Sequence, residues 1–357
     1  NRHWRRSMDR IVVPAKRMLG AAFALAGFAL VATGAARAQS PEETYYKGKT
    51  VRIVVGYGPG GGYDVYARMI APYLGKALGT SVVVENQPGA GGITALNRIM
   101  TAPPDGLQIM IVNGLGAAFA QLTEQQGVRF DLAKLAHLGT VSASPWVWLV
   151  GPNAPIDTPQ KALAAKRRFM WSASGPIDGL SDGAAFTCAA LKLECGVVLG
   201  YPGSNEAALA VTKGEMDMIY VSDTSANNYV KAGQNKAVAT MGRIKSRFFP
   251  NLPTIFEAVK LAPDQAALFD FHATAENLGR ILVAPPDTPP ARLAFLRDAV
   301  KTALSDPELI AEGEKTQRYV DFIPAEDTRK ASVRVVTDPT PEQRKRMMEI
   351  ISTAEKK

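Results

Sequence analysis

Two rhythms of apolar residues alternate along this chain. Short β-branched or apolar runs, the mark of buried strands, give way to longer stretches whose apolar residues recur at helical spacing. The first series predicts strands at 51–55, 81–85, 107–112 and 138–141, with helices at 65–78, 92–100 and 116–123 between them. A second series has helices at 159–165, 180–191, 205–213 and 226–232 and strands at 169–172, 197–199, 216–221 and 236–241. Strand-then-helix alternation predicts an α/β fold on mainly parallel sheets. Two extended segments break the rhythm: Trp146-Val147-Trp148-Leu149-Val150 before Gly151-Pro152, and 278–286, which stops at Ala284-Pro285-Pro286. They read as two crossings between two α/β lobes, the layout of a hinged clamp. The first lobe is then 39–144 with 246–357 and the second 145–245, and helices at 290–304, 307–315 and 341–354 are expected to pack back on the first lobe.

The first forty residues change the charge picture. The chain opens on Asn1, and Met8 is a plausible initiator. Arg10, Lys16 and Arg17 precede an uncharged run, 18–36, rich in Ala, Leu, Phe and Gly, and Ala36-Arg37-Ala38 supplies an A-x-A cleavage pattern. This predicts a secretory signal peptide over 1–38, cleaved near Gln39, and hence an exported protein. An uncleaved anchor is the alternative, opposed by the short, Ala-rich apolar centre. Seven basic residues and one acidic residue lie in 1–38, so the remainder holds 34 basic and 32 acidic residues, a net charge of +2 against +8 for the whole chain. A basic face for nucleic acid thereby loses its support. Export permits a disulfide between the two cysteines, Cys188 and Cys195. In one continuous helix their Cα atoms would stand about 10.5 Å apart, out of reach; a helix stop before Gly196 would bring them together. Spacing alone leaves both outcomes open.

Residues 51–64 read Val-Arg-Ile-Val-Val-Gly-Tyr-Gly-Pro-Gly-Gly-Gly-Tyr-Asp, a strand running into a glycine-rich loop and then a helix. Such a loop points backbone N–H groups at whatever lies over the helix start, and glycine admits close approach, which suits an anion. The candidate binding residues here are Tyr57, Gly58, Gly60, Gly61, Gly62, Tyr63 and Asp64, with Asp64 read first as a helix cap. Later strand-to-helix turns add Asn86, Gly89, Asn113, Ser174, Gly175, Tyr201, Gly203, Ser204, Asp223, Thr224 and Ser225. Ordinary turn chemistry explains any one of them. Together they mark the carboxyl ends of strands, where open α/β sheets bind ligands. Tyr63 and Tyr201 each offer an aromatic wall and a hydroxyl, although Tyr201 also suits a core. Arg52 and Arg68 flank the first loop as either structural or distal partners.

Three imitations of other chemistries need weighing. Gly56-Tyr57-Gly58-Pro59-Gly60-Gly61, with Glu85 on the next strand, fits the dinucleotide fingerprint G-x-G-x-x-G. Pro59 removes an N–H from that cradle, and no nicotinamide or other cofactor is expected in an exported chain. Gly48-Lys49-Thr50 lacks the upstream glycine of a P-loop. Gly179-Leu180-Ser181-Asp182-Gly183 fits G-x-S-x-G, and Ser181, Asp223 and His272 stand in the chain order of a serine hydrolase triad. That secreted-hydrolase reading is the main rival, but Ser181 lies too far from the preceding strand for a nucleophile elbow and suits a helix N-terminus. No Cys, His or carboxylate set has metal-ligand spacing.

Several motifs then occur in order: Gly56-Tyr57-Gly58-Pro59-Gly60-Gly61-Gly62-Tyr63-Asp64 with Arg68, Val83 to Gly92, Pro104-Asp105-Gly106, Gly200-Tyr201-Pro202-Gly203-Ser204, Gly214-Glu215-Met216-Asp217, Pro253-Thr254-Ile255-Phe256-Glu257 and Ala284-Pro285-Pro286. Across nearly all of the chain after residue 39 this resembles the solute-binding proteins of tripartite tricarboxylate transporters, the Bug family. The resemblance implies a type II periplasmic binding protein, a two-lobed Venus flytrap with two crossover strands. It implies residence in the periplasm of a Gram-negative cell, capture of a small organic acid, delivery to membrane permease subunits, no catalysis, and a monomer. Tyr57-Gly58 stands where many members have Pro-Phe, and Gly200-Tyr201 replaces a usual Val-Pro-Tyr, so the solute's identity is not carried over.

Overall fold

The structure, a computed structural model, describes residues 40–175 and 178–355. The signal peptide expected over 1–38 lies outside them. The strands are β1 Thr50–Val55, β2 Ser81–Asn86, β3 Gln108–Asn113, β4 Ala136–Ser142, β5 Trp146–Val150, β6 Phe169–Ser172, β7 Cys195–Val198, β8 Met218–Ser222, β9 Lys236–Thr240, β10 Arg280–Ala284 and β11 Ile323–Pro324. The helices are α1 Pro41–Tyr46, α2 Gly62–Leu78, α3 Ile93–Met100, α4 Gly114–Leu122, α5 Pro159–Ala164, α6 Gly179–Leu191, α7 Ser204–Thr212, α8 Asp223–Lys231, α9 Ile255–Ala258, α10 Pro263–Glu276, α11 Pro290–Leu304, α12 Pro307–Thr316, α13 Ala325–Thr337 and α14 Pro341–Glu355.

Two sheets form, ordered β11-β4-β10-β3-β1-β2 and β7-β6-β8-β5-β9. In the first, β2, β1, β3 and β4 run one way, and β10 lies antiparallel between β3 and β4. In the second, β5 lies antiparallel between β8 and β9. Both segments read as crossings are therefore interior strands, and each is the strand that runs against its parallel neighbours. Their direction decides where they begin. Arg280, the first residue of β10, pairs with Asn113, the last of β3. Trp146, the first of β5, pairs with Ser222, the last of β8. Both therefore start at the carboxyl edge, where the strand-to-helix turns cluster.

Alternation along β1 sends Val51, Ile53 and Val55 into a core with Ile70 and Leu74 of α2 and Leu296 and Val300 of α11, while Val54 faces the other side of the sheet. That second core passes from Phe119 of α4 to Phe186 of α6, with ring centroids 5.0 Å apart, and on to Trp148 and Trp171 of the second sheet. Each such buried phenylalanine contributes roughly 1.5–3 kcal/mol. His272 stacks on Phe119 and is buried. Helices α9, α10 and α13 fall in stretches where the apolar pattern gave no clear period. Of the C-terminal helices, α11 and α12 pack on α2, but α14 lies against α6 and β7. Met347, Ile350 and Ile351 join the core of the second sheet, so the chain crosses to that side once more at its end.

α6 starts on a reciprocal cap. Asp178 accepts from the amides of Leu180 and Ser181, and the Ser181 hydroxyl accepts from the Asp178 amide. The helix stops at Leu191, with Lys192 left-handed at φ 55°, four residues before Gly196. The reversal brings Cys188 and Cys195 to a Cα separation of 6.2 Å and bridges them. Closing so short a loop removes about 2 kcal/mol of unfolded-chain entropy. Cys188→Ala with Cys195→Ala is expected to lower the melting temperature by several degrees in thermal unfolding; an unchanged melting temperature would show the bridge to be without structural consequence.

Candidate functional site

The glycine loop is held by a network beneath it. The buried Asp64 carboxylate accepts from the Gly60 amide at 2.7 Å, from Arg68 Nε at 3.0 Å and from Asn86 Nδ2 at 2.9 Å. Burial pushes the Asp64 carboxyl up, but the Arg68, Gly60 and Asn86 hydrogen bonds outweigh it and hold the pKa below its usual value. Asn86 also donates to the Tyr57 carbonyl and accepts from Arg68. Asp64, Asn86 and Arg68 thus support the loop from below. Arg52 pairs with Glu85 at 3.8 Å on the surface, away from it. Gly89, at φ 154°, abuts Thr94 and shapes the turn before α3. Tyr57 is buried, donates to the Gly91 carbonyl and stacks on Tyr63 at 5.0 Å. Asn113 caps α4 through the Gly116 amide and donates to the Tyr57 hydroxyl.

The two sheets' turns meet. Gly58 donates its N–H to the Pro202 carbonyl at 3.0 Å, so that amide is already engaged. Gly60 lies against Asn205, and the place a Cβ would take on Gly203 is 3.8 Å from the Gly58 nitrogen. Gly175 lies so close to Ala90 and Gly91 that a Cβ on it would stand 2.3 Å from the Gly91 nitrogen and 2.6 Å from the Ala90 carbonyl carbon. Ser174 donates to Asp178 and faces the α6 cap. Tyr201 packs at the edge of the second sheet's core and lines no cavity at this meeting place.

Between the turns is a cavity of ≈ 30 Å³. Gly61, Gly62, Tyr57 and Tyr63 line one side; Ser204, Ser222 and Ser225 line the other; Trp146, Leu180 and Val221 add apolar wall. Three helices begin here, α2 at Gly61, α7 at Gly203 and α8 at Ser222, and none has a side-chain cap. The starts of α4 and α6, by contrast, are closed by Asn113 and Asp178. The positive ends of three helix dipoles and a set of hydroxyls therefore converge on this one space.

Arg280 completes it. The side chain is 3% exposed and donates to Ser142 Oγ at 3.1 Å, Ser222 Oγ at 2.9 Å and Thr224 Oγ1 at 3.3 Å, with its guanidinium 4.2 Å from the centre of the Tyr66 ring. Its Nε has no hydrogen-bond partner, and no carboxylate lies within ion-pair distance of it among the described residues. The charge of Asp223 acts on it only from beyond ion-pair distance; a buried cation without a direct ion pair is costly, and in a cavity lined by donors an anion offsets that cost. Burial pushes the neighbouring Tyr63 hydroxyl's pKa up despite the pull of Arg280.

Asp223 faces away from this cavity. It bonds Ser246 Oγ at 2.8 Å, and burial pushes its carboxyl up to about 6, against the Ser246 hydrogen bond and the charge of Arg280. It borders a larger cavity of ≈ 560 Å³, lined by residues 143–145, by 242–245 with Arg247 and Phe248, and by the end of α10. The cations around that space are paired, Arg243 with Asp270, Lys245 with Glu257 and Arg247 with Asp321. Of the three uncapped helix starts only that of α8 borders it, through Asp223 and Thr224. Ser181, Asp223 and His272 form no triad: the Ser181 hydroxyl bonds Asp178, Asp223 bonds Ser246, and His272 Nδ1 lies 3.2 Å from Glu276 while its Nε2 has no partner. Among the described residues no group of three or more Cys, His, Asp or Glu is placed to hold a metal.

Of the residues expected from sequence, Tyr57, Gly61, Gly62, Tyr63, Ser204 and Ser225 line the cavity, and Thr224 holds Arg280. Arg280, Trp146, Ser222, Leu180 and Val221 were not expected. Arg280 and Trp146 begin strands, and the signal available was a charge, or a bulky ring, at the head of a segment read only as a connector.

Comparison with known proteins gives the same layout a family. Residues 66–317 match the family described as tripartite tricarboxylate transporter family receptor, TctC. A UPF0065 protein of Bordetella pertussis is 25% identical over 280 residues, covering 76% of this chain and 82% of that protein. Among solved structures, the periplasmic binding protein BugD superposes with a TM-score of 0.70 at 21% identity over 87% of this chain and 98% of its own. MatC from Rhodopseudomonas palustris with bound malate gives 0.70 at 21% identity over 86% and 100%. With two mixed sheets, two crossing strands and a match over most of its length, the chain belongs to the tripartite tricarboxylate transporter receptor family.

Proposed function

We propose that this protein is a periplasmic receptor that closes its two lobes on a small organic carboxylate and presents it to the membrane permease subunits of a tripartite transporter. It acts as a monomer, without turnover and without a cofactor, after cleavage of the segment 1–38. The lobes are 39–144 with most of 246–357, and 145–245 with α14 laid against it. The observation that carries this reading is Arg280, a buried guanidinium with no carboxylate beside it, in a cavity onto which three uncapped helices open. The carboxylate nature of the malate held by MatC supports the same class of ligand here.

The chemistry follows from the donors. A carboxylate accepts two parallel hydrogen bonds from a guanidinium, shorter and stronger than neutral ones. Amides at the start of α2 and the serine hydroxyls serve its remaining lone pairs. Each helix end adds roughly 0.3–1 kcal/mol, and up to about 2 where partly buried. Because α2 belongs to one lobe and α7 and α8 to the other, an anion between them favours the closed arrangement over the open one, the differential contact that a clamp requires.

Calorimetry with malate, adipate and benzoate, each beside its neutral amide, is expected to detect at least one acid and none of the amides. Arg280→Met, with its fold checked by circular dichroism, should weaken that acid by about 1.5–3 kcal/mol, more than tenfold. Arg52→Met should leave it unchanged. Undiminished binding by Arg280→Met would remove the guanidinium from the site. Gly175→Ala tests closure separately, since its Cβ meets backbone of the opposite turn. X-ray scattering should show the acid compacting the wild type and failing to compact this variant; equal compaction would mean that the lobes do not meet at Gly175.

A further inference from the structure

Asp223 is a second buried charge beside the smaller cavity, on the other side of the hydroxyls that hold Arg280. It is 2% exposed; Ser246 donates to its Oδ2, and its Oδ1 has no hydrogen-bond partner. Its chain neighbours Ser222 and Thr224 both accept from Arg280, at 2.9 and 3.3 Å. One layer of hydroxyls therefore separates a buried carboxylate from a buried guanidinium. The two do not touch, but across a low-dielectric gap their opposite charges still stabilise each other. Other groups around Asp223 do less. Arg243, Lys245 and Arg247 have carboxylates of their own in Asp270, Glu257 and Asp321, and the pull of Arg247 on Asp223 is smaller than that of Arg280. From α10, Glu276 is engaged by His272 and by the Tyr220 hydroxyl. From α2, the Tyr66 hydroxyl donates to the Tyr319 carbonyl. Residues 143–145 bring no titratable side chain. Burial pushes the Asp223 carboxyl up to about 6, and Arg280 is the chief cation opposing that rise.

We infer that Asp223 takes up a proton when an anion settles on Arg280, so that ligand binding and protonation are coupled in this protein. This rests on the carboxylate reading of the smaller cavity and gives Asp223 a role that reading does not need. An anion cancels the field of the guanidinium and adds its own negative charge on the far side of the hydroxyl layer. The Asp223 carboxylate then loses its compensation while it stays buried, and a proton from solvent, forming an O–H bond on the carboxylate, removes the charge. The ≈ 560 Å³ cavity that Asp223 borders gives that proton a way in. Linkage makes the effect reciprocal, so protonation of Asp223 strengthens anion binding by the same factor. The sign follows. Below the pKa of the empty protein Asp223 is protonated with or without ligand, and affinity is highest and independent of pH. Above it the anion must draw in a proton, and Kd rises by up to about tenfold per pH unit until the pKa of the bound form is passed.

The test is calorimetry of the tightest binder among malate, adipate and benzoate from about pH 6 to about pH 8.5, where these acids are largely ionised. For a rise of about one pKa unit at Asp223, affinity should fall about fivefold over that range, and enthalpies measured near pH 7 in phosphate and in Tris should show roughly 0.4 proton taken up. Asp223→Asn keeps an acceptor for Ser246; it should abolish the uptake, flatten the pH profile and bind more tightly than the wild type at the alkaline end. Ser246→Ala removes a hydrogen bond that favours the charged form, and should move the falling limb to higher pH. Acid binding without proton uptake overturns the inference and leaves the carboxylate reading standing. So does uptake that survives in Asp223→Asn, which would place the proton on another group such as the buried Asp178. A role for Asp223 confined to folding would weaken binding equally at every pH and keep the slope, and that result overturns the inference too. Binding of none of the three acids defeats the carboxylate reading and this inference with it.

Discussion

A guanidinium held between two lobes without a carboxylate is the constraint around which this structure is arranged. Arg280 is out of water, and the hydroxyls of Ser142, Ser222 and Thr224 hydrogen-bond it without neutralising it. Burying a lone charge costs several kcal/mol even after relaxation. Under the function proposed above, an anion arriving between the lobes offsets that cost. The uncapped starts of α2, α7 and α8 converge on the same cavity, whereas the nearby starts of α4 and α6 are closed by Asn113 and Asp178.

Topology puts the charge there. Parallel strands followed by helices collect their turns at one sheet edge. A strand entering such a sheet against its neighbours begins at that same edge, so the first residues of the two crossing strands face the cleft. One is Arg280 and the other Trp146, and both line the cavity. The two crossing strands therefore also supply the cavity with its charge and an apolar wall. Around the cavity, close backbone approach replaces side-chain contact, as at Gly58 with Pro202 and Gly175 with Gly91.

Much of this was legible in the residues. Period-two and helical spacing gave the strand and helix series because each segment faces a core on one side, and the glycine loop after β1 announced close approach. Ser181 was readable as a helix-start residue, and it is half of the Asp178 cap. What stayed hidden depends on partners distant in sequence. Whether Gly58 offers its amide to a ligand was settled by Pro202, more than a hundred residues away. Asp223 stands in a turn that looks like the others, yet Ser246 draws its carboxyl away from the cavity that holds Arg280. The cysteine bridge turned on one left-handed residue, Lys192, and a non-glycine there carries no sequence flag. Arg280 was missed because a strand's direction within its sheet is not written in its own residues.

The most direct measurement is a crystal structure of the chain with the tightest-binding acid from the calorimetric panel. The account predicts a carboxylate within about 3.2 Å of the Arg280 guanidinium nitrogens, among the starts of α2, α7 and α8. An acid seated instead in the larger cavity beside Arg243, Lys245 and Arg247, with Arg280 still meeting only hydroxyls, would contradict it.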